Sequence, residues 1–159
     1  MNITIIQVGK TKNKYFQEAE NEYIKRLQPT AKLNIITLKE YALPAGSPQA
    51  GREIAKDKEA AEILKNLPPK SFIIALDEKG KFLTSIEFAD FIKKKRDFEG
   101  ANITFIIGGP YGLSTKIFEK VDLKLSFSAF TYTHEIIRTL LLEQIYRAFS
   151  IIAGKTYHY

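Results

Sequence analysis

Four groups of residues in this chain carry side chains or bare backbone that could do chemistry. The first is the turn Gly108-Gly109-Pro110-Tyr111-Gly112. Glycine accepts positive φ and lets a ligand approach the main chain, while proline fixes its own φ and biases Gly109 away from the helical region. Such a turn either holds a ligand against the backbone or only redirects the chain. The second group is His134 and Arg138, four residues apart and so on one helix face, beside residues 127–133. They could orient an anionic ligand, although the same spacing suits isolated surface or cap residues. The third is Tyr157-His158-Tyr159, which joins two rings to an imidazole that titrates near neutrality. Unstacked nucleobases are held by such side chains, and a frayed terminus is the plain alternative. The fourth is Lys10, Lys12 and Lys14, which could neutralise phosphates.

Spacing argues against two nucleotide-binding patterns. Gly9-Lys10-Thr11 has the ending of a phosphate-binding loop, but the glycine needed five residues before Gly9 is Thr4, inside an apolar run. The 108–112 turn lacks the G-x-G-x-x-G spacing and does not follow the first strand, which disfavours NAD and ATP. Lys93 to Arg96 lies among Glu87, Asp90, Asp97 and Glu99 and reads first as a solvated face, with RNA contact as the lesser alternative. With no cysteine and two histidines, neither a disulfide framework nor a thiolate metal site can form, and no metal is expected.

The elements that must position these groups alternate along the chain. Short β-branched runs at 3–8, 33–38, 72–76, 103–107 and 123–127 read as strands. Helical patterns occupy 14–27, 48–67, 84 to about 100, 114–120 and 134–153. Ser47 and Pro48 suit a cap and first turn, Thr84 and Glu87 a capping box, and Ser114 a cap. Asp77-Glu78-Lys79-Gly80 reads as a second glycine turn, closing the third strand. Residues 40–50, with Pro44, Gly46 and Pro48, read as an exposed lid or recognition loop. The alternation, free of repeats or a linker, predicts an α/β fold: a mainly parallel sheet with helices on both faces, one domain over 1–159. In such sheets ligands collect outside the carboxyl ends of the strands. The last helix is apolar nearly all round, from Ile136 and Ile137 to Ile151 and Ile152, and needs cover on both sides. That predicts a homodimer through this helix, a central helix of a monomer being the alternative.

Composition sets the class. A hydrophobic fraction of 45% with 12% aromatics in 159 residues argues for a packed core. Lysine and arginine total 24 against 18 acidic residues, and the net charge of +6 favours a polyanionic partner such as RNA. No stretch approaches the roughly 18 apolar residues of a membrane span, and no leader pattern is present. A soluble, unprocessed cytoplasmic protein is the expectation.

Leu76-Asp77-x-x-Gly80, Ser85-x-x-Phe88-Ala89, Ile107-Gly108-Gly109-x-x-Gly112, Leu125-Ser126-Phe127-Ser128, His134-x-x-x-Arg138, Glu143-Gln144-x-Tyr146-Arg147-Ala148 and Tyr157-His158 stand in this order across the chain. In order and spacing the set resembles the RlmH-type (YbeA-like) large-subunit rRNA methyltransferases of the SPOUT superfamily. The resemblance implies a C-terminal trefoil knot, a dimer with the site near its interface, and S-adenosylmethionine as methyl donor. It implies as target N3 of a pseudouridine in 23S rRNA within the assembled ribosome. Carried over by position, cofactor contacts fall at Leu76, Gly108, Gly109, Phe127, Ser128, Ala129, Phe130, Thr131 and Tyr132. On this reading His158 acts as base or orients it, Arg138 stabilises the developing anion and Tyr157 stacks on the target or its neighbour. Lys10, Lys12 and His134 join Tyr157 in holding the RNA. Two positions depart from the pattern: Thr133 stands where proline is usual, and Tyr159 where a basic residue is usual. A SPOUT methyltransferase acting on another RNA such as tRNA, and a non-catalytic RNA-binding or ribosome-assembly module, are the alternatives.

Overall fold

The computed structural model describes residues 1–98 and 102–157. Its elements are β1 (Asn2–Val8), α1 (Lys14–Leu27), β2 (Lys32–Leu38), α2 (Gln49–Lys65), β3 (Ser71–Phe82), α3 (Ser85–Asp97), β4 (Asn102–Ile107), α4 (Thr115–Phe118), β5 (Leu123–Ser126) and α5 (His134–Ile152). The five strands form one sheet in the order β2-β1-β4-β3-β5, every pair parallel. All the loops that leave strands at their carboxyl ends therefore lie along one edge of the sheet.

Successive side chains of a strand face opposite sides, and here both sides are apolar. Ile3, Ile5, Ile74, Ile103, Phe105 and Ile107 face a core closed by Leu27 of α1, Phe88 and Ile92 of α3, and Leu141, Ile145 and Phe149 of α5. Ile6, Val8 and Ile106 face a smaller core closed by Ala60 and Ile63 of α2 and Ile117 of α4. Each fully buried aliphatic side chain contributes about 1.5–3 kcal/mol. This two-sided burial is what a parallel sheet covered by helices requires, and the expected architecture is the one observed.

Residues 77–80 correct the sequence reading. They do not close β3, which continues to Phe82: they stand out of the ladder as an irregularity, the Lys79 amide donating to Asp77 Oδ1 at 3.0 Å, and the register against β5 shifts so that Leu125 pairs with both Leu76 and Lys81. A Cβ at Gly80 would lie 2.7 Å from the backbone N and C of Leu125 and the C of Lys124. The glycine marks a close approach of two strands at an irregularity rather than a reversal.

Helix ends follow local chemistry. The predicted capping box forms, with the Glu87 amide donating to Thr84 Oγ1 at 3.2 Å and the Thr84 amide donating to Glu87 Oε2 at 2.7 Å. The start of α2 differs from expectation by one residue. Pro48 is the N-cap and Ser47 instead donates its hydroxyl to the Pro44 carbonyl at 2.7 Å. Thr133 caps α5, its Oγ1 accepting from the Ile136 amide. The helix before β4 ends at Asp97, and Gly100, its expected end, lies outside the described residues. Among the described residues no helix is long and apolar enough to cross a membrane.

Candidate functional site

A cleft of about 820 Å³ opens at the carboxyl edge of the sheet. Its walls come from three places: Leu76 to Lys79 of β3, the loop from Gly108 to Leu113 after β4, and the end of β5 with the loop that follows it, closed by His134 and Ile137 of α5. The expected cofactor residues Leu76, Gly108, Gly109, Phe127, Ser128, Phe130, Thr131 and Tyr132 all line it, as does His134. Ala129 sits in the same loop without lining the cleft.

Each wall is held by its own short-range bonds. After β4, the Gly112 amide donates to the Gly109 carbonyl at 3.0 Å. Ser114, buried at the start of α4, donates to Asp57 Oδ1 at 2.6 Å, and Lys116 Nζ meets Asp57 Oδ2 at 2.7 Å, so the loop is anchored to α2. Those two bonds, Lys116 first, hold the Asp57 carboxyl below its usual range. After β5, the Ser126 hydroxyl donates to the Ser128 carbonyl at 2.8 Å and the Phe130 amide donates to Ser128 Oγ at 2.9 Å. Serine makes such local turns because its hydroxyl reaches backbone two residues away. Thr131 Oγ1 donates to Glu78 Oε2 at 3.1 Å and joins this loop to β3. Phe130 is left 79% exposed at the cleft mouth, a large apolar ring uncovered by its own chain.

His134 lies at the first turn of α5. Burial, then the charge of Arg138, lowers its pKa below the usual imidazole value and favours the neutral ring. Arg138 itself is 1% exposed and does not line the cleft. Its guanidinium donates to the carbonyls of Val8 and Gly9, the latter at 2.8 Å, and to Thr11 Oγ1 at 3.1 Å. Thr11 in turn donates to Glu20 Oε1 at 2.8 Å, and burial pushes the Glu20 carboxyl up. One turn earlier on α5, Glu135 accepts from the Lys12 amide and from Asn13 Nδ2, and the Lys12 bond leads in holding its pKa low. Two adjacent turns of α5 thus grip the segment leaving β1. Lys10 and Lys12 are exposed on that segment, beside the cleft end of α5.

Tyr157 is elsewhere. Past the far end of α5 its ring packs edge-on against Tyr146 with centroids 4.8 Å apart, under the Arg147 guanidinium, and its hydroxyl donates to Glu143 Oε1 at 3.4 Å. Burial first pushes its phenol up to about 12. His158 and Tyr159 lie outside the described residues. The structure therefore brings the cofactor residues, His134 and the lysine segment together and leaves Tyr157 away from them within one chain.

Asp77, Glu78 and Lys79 also line the cleft, together with Tyr111, Phe118 and Lys124. The first three were masked by their likeness to a turn, and a glycine inside a strand pattern was the available signal. The last three carry no pattern of their own.

The "Predicted SPOUT methyltransferase" family model matches residues 1–158 of the chain. The chain is 49% identical over 158 residues to the ribosomal RNA large subunit methyltransferase H of Carboxydothermus hydrogenoformans, and 48% identical over 158 residues to that of Alkaliphilus oremlandii. Each match covers 99% of this chain and 99% of the relative. Among solved structures, a probable methylase family protein from Haemophilus influenzae superposes with a TM-score of 0.55 at 13% identity, over 99% of this chain and 70% of that one. At that identity the likeness speaks for the fold.

Proposed function

The chain belongs to the SPOUT methyltransferase family, and we propose that it methylates N3 of a pseudouridine in 23S rRNA of the assembled ribosome, as a cytoplasmic homodimer. The observation that carries the reading is the convergence of residues 76–79 of β3 with the loops after β4 and β5 on one cleft at the carboxyl edge of the sheet. The rRNA substrate is supported by relatives named ribosomal RNA large subunit methyltransferase H that match the chain from end to end.

SPOUT methyltransferases draw on S-adenosylmethionine, which when bound supplies an electrophilic methyl group on a sulfonium centre. The cleft suits it. Its volume falls among small-molecule sites. Leu76, Ile107, Leu125 and Ile137 offer apolar cover to an adenine, and the carboxylates of Asp77 and Glu78 suit the cationic end. At Gly108 a Cβ would lie 2.9 Å from the Gly112 carbonyl carbon and 3.1 Å from Leu113 Cδ2, so the bare backbone there is built in. Leu76, Gly108, Gly109 and residues 127–132 would hold the cofactor.

The imide N–H of the target must lose its proton as N3 gains a methyl. His134, neutral and in the cleft, can take that proton on its free ring nitrogen. Rigid placement of the reacting groups supplies the larger share of the rate, and Arg138 serves it as a positioning residue by fixing the end of β1. Lys10 and Lys12 supply phosphate contacts.

The dimer reading rests on α5. Its 19 residues span about 28 Å, which separates Tyr157 from the cleft of its own chain. Ile136 and Leu140 remain half-buried on this helix. A two-fold pairing of antiparallel α5 helices would cover them and carry one copy's Tyr157 towards the other's cleft. The implied trefoil knot belongs to the same reading, supported by the return of α5 from the β5 edge to β1, where Arg138 bonds Val8 and Gly9.

Labelled-methyl transfer to ribosomes from a strain lacking the modification tests the function. Label in 23S rRNA is expected, with naked rRNA a poor substrate; label only in tRNA, or equal rates on both rRNA forms, overturns the reading. Absence of S-adenosylmethionine binding in calorimetry leaves only the non-catalytic module, and a monomer mass by light scattering at micromolar concentration removes the dimer.

A further inference from the structure

The cleft has a rim that the methyl-transfer reading does not use. On the side facing α2 and α4, the Arg52 guanidinium lies over the Tyr111 ring, 5.9 Å from its centroid, and Lys124 Nζ lies 4.0 Å from the centroid of Phe118. Tyr111, Phe118 and Lys124 line the cleft, whereas Arg52 stands on the first turn of α2 just outside it. Arg52 and Lys124 are both exposed, and neither is in an ion pair among the described residues. Lys116, beside them, is already neutralised by Asp57.

An exposed cation over a ring adds little to fold stability, so the arrangement is better explained by what it presents. Aromatic faces and guanidinium planes are the surfaces on which unstacked bases pack, and uncompensated lysines beside them meet the phosphates between those bases. A methyltransferase whose target atom lies on a base edge must receive that nucleotide out of its stack, which leaves the neighbouring nucleotides to be held at the mouth of the cleft. We propose that Arg52 and Tyr111 form a stacking platform for a nucleotide flanking the target, with Lys124 contacting the adjoining phosphate. The inference deepens the rRNA reading and rests on it in taking RNA as the partner. It places the RNA across two sides of the cleft, the Lys10 and Lys12 segment on one and this rim on the other.

The test uses full-length protein and two probes: unmodified 70S ribosomes and a fluorescein-labelled oligouridylate, both titrated by anisotropy with S-adenosylhomocysteine present. Arg52→Ala and Tyr111→Ala are expected to weaken both probes about tenfold, the loss of one stacked base, while Tyr111→Phe stays within about twofold of wild type. Arg52→Ala should also reduce the slope of log affinity against log salt, by about one if the guanidinium meets a phosphate as well. Calorimetric affinity for S-adenosylhomocysteine should be unchanged in Arg52→Ala. The proposal is overturned if both alanine variants bind RNA like wild type. It is equally overturned if Tyr111→Ala loses cofactor affinity in step with RNA, which would make the ring a wall of the cofactor site. Wild-type protein that binds the oligonucleotide and not the ribosome sinks the rRNA reading while leaving the platform standing.

Discussion

Arg138→Ala separates two accounts of the same residue. The motif reading makes it a group that stabilises charge on the substrate; the structure buries it to 1% exposure and turns its two terminal nitrogens to Val8, Gly9 and Thr11, leaving Nε without a partner among the described residues. Each hydrogen bond to a charged group is worth about 1.5–3 kcal/mol, but three from one guanidinium do not add. Removing the side chain also strips the nearby carboxylates of Glu20, Glu135 and Glu40 of their countercharge. Breaking a buried charged network by deleting one partner costs about 3–5 kcal/mol, set against roughly 5–15 kcal/mol for a whole domain. At about 2–4 °C per kcal/mol for a chain of this length, the melting temperature should fall by roughly 6–20 °C. Arg138→Lys keeps the charge without the planar fork and should fall between. Urea unfolding followed by circular dichroism gives the stability, and single-turnover methylation of ribosomes, run well below the variant's melting point, gives the rate. A variant within about 1 kcal/mol of wild type whose methylation collapses would refute the packing argument and return Arg138 to the substrate.

Gly80→Ala should cost about 1–3 kcal/mol by overpacking, because its Cβ meets the Leu125 and Lys124 backbone at 2.7 Å; an unchanged thermal midpoint would contradict the close β3–β5 approach. His134 should titrate below 6.5 in an NMR pH series, since burial and Arg138 both favour its neutral form, and a midpoint at or above 6.5 would contradict this. With the folded value depressed, the stability it contributes is present above pH 6.5 and lost as pH falls through the folded value, so His134→Asn should flatten the urea-stability profile on the acid side. Tyr157, pushed up to about 12 by burial first, should ionise well above the usual phenol range in an ultraviolet titration; the wild-type minus Tyr157→Phe difference should show no step near pH 10.

The alternation of strands and helices was legible because both faces of each central strand are apolar, and a two-sided strand needs no partner information to be recognised. The cleft was legible in part for a related reason: Gly108 and Gly109 follow such a strand directly. The extension of β3 was not. Asp77-Glu78-Lys79-Gly80 has the composition of a turn, and only the pairing of Lys81 and Phe82 with β5, more than forty residues later, resumes the strand beyond it. His134 and Arg138 show a different limit. Four residues carry a helix about 40° past one full turn, which is enough for one side chain to enter the cleft while the other, long and forked, reaches the end of β1. Spacing reports a shared face and cannot report which neighbour each side chain meets.

The first turns of α5 therefore couple two tasks that the sequence lists separately. His134 and Ile137 close the cleft, while Glu135 and Arg138, interleaved with them on the same helix, bind the backbone and side chains of the segment leaving β1. A rigid helix cannot shift one pair without the other. Lys10 and Lys12 are thus carried on a loop whose position is set by the cleft wall, and on the proposed reading RNA phosphates bound there would lie at a fixed distance from the reacting atoms. That is the structural form positional catalysis takes when little covalent chemistry falls to the protein. It also explains why a buried arginine, costly to desolvate, is kept at a place where an apolar residue would pack: only a fork of donors can hold two consecutive carbonyls and a hydroxyl at once.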